Sequence, residues 1–179
     1  AELAEEDLIA DEDVVVTVTH FGYIKRLPLT AYRSQRRGGR GITAISTREE
    51  DFVEQLFVTS THSYILFFSD KGKVYRVKAH EVPEVGRTAR GTAIVNLIQL
   101  PRDERIRTAI PVREYDDGHY LFMATKRGVV KKTVLTEFDS PRHGLIGILL
   151  DEDDELVDVR LTEGNEHVLL VTAYGQAIR

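Results

Sequence analysis

The sequence predicts an all-β protein built from four-stranded blades set side by side in a propeller-like disc, with about three blades and the start of a fourth. Three observations carry that prediction: an internal repeat that aligns without gaps, a glycine at a fixed place in each copy, and little helical periodicity beyond the first dozen residues.

The repeat is plainest in four segments, VVVTVTHFGYIKR from Val14, YILFFSDKGKVYR from Tyr64, YLFMATKRGVVKK from Tyr120 and HVLLVTAYGQAIR from His167. Each reaches a glycine eight residues after its start, at Gly22, Gly72, Gly128 and Gly175. An apolar run, a glycine and a short β-rich stretch ending in a base describe two strands joined by a tight turn, with glycine where φ is positive. A second glycine follows 19 residues later in every complete copy, at Gly41, Gly91 and Gly147. An apolar strand is expected after it (ITAIS, TAIVNLI, ILL), then an acidic stretch leading into a fourth strand, in DFVEQLFVTST from Asp51, ERIRTAIPVRE from Glu104 and ELVDVRLTE from Glu155. Hairpin-glycine spacings of 50, 56 and 47 residues suit propeller blades rather than helical solenoids.

The repeats span about 14–61, 62–116 and 117–165, with an incomplete copy at 166–179. Residues 1–13 form an acidic linker or tether, in which ELAEEDLIA has the only helical character. Three units and a fragment do not close a ring, so the expectation is part of a larger disc.

Composition is that of a soluble globular chain, with 42% apolar and 30% charged residues and no cysteine. Neither a disulfide framework nor a cysteine-ligated zinc site is possible. No apolar run is long enough for a membrane span, and the acidic N-terminus is no leader, so a cytoplasmic location is expected. The net charge of −5 conceals segregated blocks: residues 1–13 hold seven acids and no base, which leaves the remainder at +2. From Val14 to Arg48 there is no acid and there are seven bases.

Within that run stands SQRRGGRG, residues 34–41. At the equivalent places the second repeat has Val85, Gly86, Arg87, Thr88, Ala89, Arg90 and Gly91, and the third has Pro141, Arg142, His143, Gly144, Leu145, Ile146 and Gly147. Gln35, Arg36, Arg37, Gly38, Gly39, Arg40 and Gly41 resemble the QRRGG(K/R)G box that marks the C-terminal domain of the DNA gyrase A subunit. The four-strand repeats of residues 11–179 are similar to the blades of that family's β-pinwheel.

The resemblance implies a six-bladed disc whose blades lend strands to their neighbours, of which this chain holds about the first half. It also implies double-stranded DNA wrapped around the outer rim, so that a type II topoisomerase introduces negative supercoils. The expected partners are DNA, bound largely without sequence preference, and the rest of the A and B subunits in an A2B2 holoenzyme of the bacterial cytoplasm and nucleoid. The cleaving tyrosine, the ATP and the Mg2+ of that enzyme belong elsewhere, so this chain is expected to hold no cofactor and to catalyse nothing. One full box with degraded copies is the gyrase pattern; the related topoisomerase IV protein typically lacks it.

Phosphate chemistry supports the same expectation. Neutralising phosphates releases counterions, arginine adds bidentate contacts, and glycines admit backbone N–H groups to close range. A bend of 40–90° opposes binding by roughly 1–6 kcal/mol, so a wrap must be held at several points. The candidates are the box residues together with Lys25, Arg26 and Arg33, then Lys73, Arg76, Arg87 and Arg90, then Lys131, Lys132 and Arg142.

Other readings remain: an RGG patch that binds RNA or is merely solvated, a propeller-like protein-interaction domain whose basic loops dock acidic partners or its own acidic tail, and the C-terminal domain of topoisomerase IV. The six histidines are scattered without HxxxH or HExxH spacing, and no Walker loop, GxGxxG or GxSxG motif occurs.

Overall fold

A computed structural model describes residues 5–37 and 51–164, together with Leu170–Val171 and Ala177–Ile178. A single 3-10 turn, Glu5–Leu8, precedes the first hairpin, β1 (Asp13–Thr19) and β2 (Tyr23–Pro28). Helix α1 (Leu29–Arg37) follows. Next come β3 (Val53–Ser60), the hairpin β4 (Tyr64–Ser69) and β5 (Lys73–Lys78), the two-residue strand β6 (Thr92–Ala93) and the helical turn α2 (Ile94–Leu97). The chain continues through β7 (Ile106–Val112), the hairpin β8 (Tyr120–Thr125) and β9 (Val130–Val134), β10 (Leu145–Ile146) and β11 (Leu156–Thr162). It closes with β12 (Leu170–Val171) paired antiparallel to β13 (Ala177–Ile178).

The sheets run β3-β1-β2-β6, β10-β5-β4-β7 and β11-β8-β9. The outermost strand of the first sheet therefore comes from the second repeat, and that of the second sheet from the third. Tyr23 pairs with Ala93 and Ile24 with Thr92, while Lys73 pairs with Ile146 and Val74 with Leu145. This exchange is what makes the disc a β-pinwheel rather than a set of self-contained blades.

The middle blade explains the apolar density of YILFFS. Ile65 and Phe67 face the first blade beside Val14, Val16 and Ile94, whereas Leu66 and Phe68 face the third beside Leu121, Met123 and Leu156. All four residues are fully buried, so this strand shows no polar alternation. Between the first two blades, Gln55 on β3 bonds to β7 from both ends of its amide. Its Nε2 donates to Thr108 Oγ1 at 3.1 Å and Ala109 O at 3.0 Å, and its Oε1 accepts from Ala109 N at 2.9 Å.

Three sequence expectations are corrected. TAIVNLI is not a continuous strand: after the two ladder pairs of β6 the chain winds into α2, which sends Ile94 and Ile98 into the core between blades one and two. ILL is not a strand either, because the lent strand is Leu145–Ile146, ahead of Gly147. The pairing also reassigns the recurring glycine. Gly91 directly precedes β6 and Gly144 directly precedes β10, with φ of +93° and +72°, so Gly144 rather than Gly147 is the counterpart of Gly91. Gly147 instead matches Ile94, since each donates its N–H to a hairpin glycine carbonyl, Gly72 and Gly22 respectively, at 2.8 Å. ITAIS, Gly38, Gly39, Arg40, Gly41 and Gly175 lie outside the described residues.

Candidate nucleic-acid interface

The hairpin tips of the first and third blades are each fastened by an acid two residues before the inner strand, Asp51 before β3 and Asp154 before β11. Asp51 Oδ1 accepts from the N–H groups of Phe21 and Phe52 at 2.9 and 3.0 Å. Asp154 Oδ1 does the same for Arg127 and Glu155 at 3.0 and 2.9 Å. The middle blade has the longer Glu104 there; it turns inward, accepts from Tyr75 Oη at 2.5 Å and lies 3.6 Å from Lys73 Nζ. Burial first, and then the hydrogen bond to Glu104, push the Tyr75 hydroxyl well above its ordinary range.

The basic residues divide into two kinds. The first kind is engaged inside the protein. Arg26, four residues after its hairpin glycine, donates to Val82 O at 2.5 Å and His80 O at 3.4 Å, and only 15% of its side chain is exposed. Arg76, the same position in the next blade, donates to Asp139 Oδ1 at 3.1 Å and Tyr115 Oη at 3.4 Å while its guanidinium lies 4.1 Å above the Tyr64 ring. Both arginines therefore hold the segment arriving from the following repeat. Lys25 Nζ donates to Arg87 O and Ala89 O at 2.8 and 3.0 Å, and burial pushes its ammonium pKa down.

The second kind is exposed. Arg87 and Arg90 stand on the 85–91 segment that leads into β6, with the Arg90 guanidinium 4.0 Å above the Tyr23 ring. Arg142 occupies the corresponding 138–144 segment leading into β10. Counting back from the lent strands sets His143 opposite Arg90, and His143 meets Tyr75 edge-on at 4.9 Å. Lys131 donates to Gly147 O at 3.2 Å, and Lys132 to Gly164 O at 2.8 Å while it covers the Tyr120 ring; both side chains remain exposed. Lys73 is 45% exposed beside Glu104.

Arg33 is exposed on α1, and Gln35, Arg36 and Arg37 are that helix's last residues. The sequence suggested a loop for SQRRGGRG, but its first half completes a helix. LTAYRSQRR holds good helix formers, Ser34 Oγ bonds back to Thr30 O at 2.9 Å, and arginines in the last turn suit the negative end of the helix dipole.

Among the cations outside the sequence candidates are Lys78 and Arg113. Lys78 lies two residues beyond Arg76, on the same strand face, with its Nζ 3.9 Å from the Tyr64 ring centroid. The other repeats carry Pro28 and Val134 there, so a search for repeated bases passes over it. Period-two alternation alone would have found it.

The profile of the family described as DNA gyrase C-terminal domain, beta-propeller, matches residues 13–60, 63–113 and 119–163. These stretches coincide with the three hairpins and their inner strands. The chain is 53% identical over 175 residues to the DNA gyrase A subunit of Clostridium acetobutylicum, a match covering 97% of this chain and 21% of that protein. It thus spans about a fifth of the length of such curated relatives. A crystal structure of the C-terminal domain of DNA topoisomerase IV is similar at a TM-score of 0.80 and 35% identity, over 95% of this chain and 52% of that one. A structure of the DNA gyrase A C-terminal domain is similar at 0.67 and 28%, over 93% and 53%. The match through all three blades, with the exchanged outer strands, shows that the chain belongs to the DNA gyrase C-terminal domain, beta-propeller family.

Proposed function

We propose that this chain binds and wraps double-stranded DNA as a non-catalytic part of DNA gyrase in the bacterial cytoplasm. The observation that carries the reading is positional. The segments entering the lent strands β6 and β10 both put exposed arginine at the outer edge of a blade, Arg87 and Arg90 at the first and Arg142 at the second. In the first repeat the sequence sets the richest such segment, Gln35–Gly41, at the corresponding place. Exposed cations in corresponding segments of successive blades give a curved track, and a wrap held at several points offsets the cost of bending by counterion release. Arg26 and Arg76 support this track by fixing the segments that carry it, while phosphate contact falls to the exposed residues.

In this reading the chain acts with the remainder of the gyrase A and B subunits in A2B2, and ATP and Mg2+ are used on those other parts. No helix among the described residues is long and apolar enough to cross a membrane. Likeness to the topoisomerase IV domain favours a second reading, a DNA-geometry module of that enzyme. The intact box and the 53% identity to a gyrase relative weigh toward the first.

Replacing Arg36, Arg37 and Arg40 with alanine in the full-length protein tests it. Negative supercoiling should disappear while ATP-independent relaxation persists, because relaxation needs cleavage and passage but no wrapped crossing. A parent protein that leaves the linking number of a nicked circle unchanged on ligation at low salt would refute the proposal.

A further inference from the structure

The acidic segment before β1 is seated against the protein rather than loose. Thr61, in the link between the first two blades, holds it from both sides. The Thr61 N–H donates to Glu12 O at 2.9 Å, while Thr61 Oγ1 donates to Ala10 O at 2.6 Å and accepts from Glu12 N at 3.2 Å. His62 Nε2 lies 2.7 Å from Ile9 O. Asp11 accepts from Ser60 Oγ and pairs with Arg113 at 2.7 Å, and these contacts hold its carboxyl below the ordinary range. Glu6 pairs with Lys78 at 3.2 Å and lies 3.7 Å from His62 Nδ1.

Those two cations flank one end of the middle blade. Tyr64 pairs with Lys78 on one side and with Val112, next to Arg113, on the other. Lys78 also lines a cavity of 220 Å³ together with Arg76, Arg142 and His143. That cavity adjoins the 138–144 segment, the second blade's counterpart of the arginine-bearing loop. The acids of the segment thus neutralise cations at a place where the track would otherwise continue.

We propose that residues 6–12 form an acidic strap that competes with the phosphates of duplex DNA for Lys78 and Arg113. The proposal rests on the DNA-binding reading above. A polyanion and the strap cannot both take these two cations, so each lowers the affinity of the other by the same factor. Docked, the strap occupies the seam between blades one and two; displaced, it lengthens the basic track.

The test measures binding of the full-length protein to a linear duplex of about 150 base pairs across a salt series. The E6Q/D11N pair keeps side-chain size but removes both charges. It should bind about threefold or more tightly at low salt, with a log–log salt slope steeper by up to about 1.8, or 0.9 for each phosphate gained. Thr61→Val removes the hydroxyl hooks without changing charge and should move affinity in the same direction. E152Q/E163Q, an equal charge change on the third blade, should move it less. Adding duplex to the parent protein should speed amide hydrogen exchange at Thr61 and Glu12. The strap is overturned if DNA binds but E6Q/D11N leaves affinity and slope unchanged, if E152Q/E163Q matches its effect, or if exchange at Thr61 and Glu12 does not respond to duplex. Failure of the parent protein to bind the duplex overturns the underlying DNA-binding reading, and the competition with it.

Discussion

Gly91→Ala should cost the protein far more than Gly22→Ala, although both glycines sit in the left-handed region at φ of +93° and +85°. That conformation by itself costs a non-glycine residue about 1–2 kcal/mol, and this part is common to the two sites. The surroundings differ. A Cβ at Gly22 meets nothing within 4 Å, whereas one at Gly91 falls 2.4 Å from the carbonyl oxygen of Ile24 and 3.0 Å from Lys25 Cβ. The oxygen belongs to the strand on which β6 is laid, so relief requires β6 to retreat. β6 has only two ladder pairs, continued by the Ile94 N–H bond to Gly22 O, so little along the strand resists that retreat. Its retreat lifts Ile94, 2% exposed in the core between blades one and two, whose burial stabilises by about 1.5–3 kcal/mol. Gly91→Ala is therefore expected to destabilise by roughly 2.5–5 kcal/mol and Gly22→Ala by about 1–2 kcal/mol. Urea unfolding of both variants against the parent measures this. Equal losses at the two sites, within about 0.5 kcal/mol, would refute the claim that close approach of the lent strand is what requires glycine at 91.

Three further outcomes are expected. Arg26→Ala should lower stability by about 1–3 kcal/mol, because it leaves the Val82 and His80 carbonyls without their donor. Arg87→Ala with Arg90→Ala should stay within about 0.5 kcal/mol per site yet flatten the salt dependence of DNA binding; unfolding and salt titrations on each variant separate the roles. Asp154 should make stability acid-sensitive. Burial opposes its ionisation, but the Thr125 hydroxyl and the N–H groups of Arg127 and Glu155 outweigh that and hold its pKa down. A depressed carboxyl contributes stability above its unfolded value of about 3.9, and loses it as pH falls through the folded value. Asp154→Asn should therefore unfold with a weaker dependence on pH below about 4 than the parent.

The hairpins were legible in the sequence because a strand pair with a tight turn imposes local constraints, an apolar run and a glycine at fixed spacing. Gly22, Gly72 and Gly128 all take positive φ. The second glycine was misread in the third repeat for the opposite reason. Equal spacing set Gly147 in register, but the position is fixed by a strand on another blade, and the pairing of Lys73 with Ile146 selects Gly144. Charge was legible as a pattern and not as a role. Arg26 and Arg87 look alike in the sequence, yet one is buried against carbonyls of the incoming segment and the other faces solvent.

What the sequence determined by itself was the repeating unit, its all-β character, the segregation of charge and the arginine-rich loop, since each depends on neighbours along the chain. The tertiary structure alone decided which strand completes which sheet, which cations remain exposed, and that the acidic segment rests on Lys78 and Arg113. Those outcomes rest on contacts between residues far apart in the chain, such as Arg113 and Asp11, and no local periodicity records such a pairing.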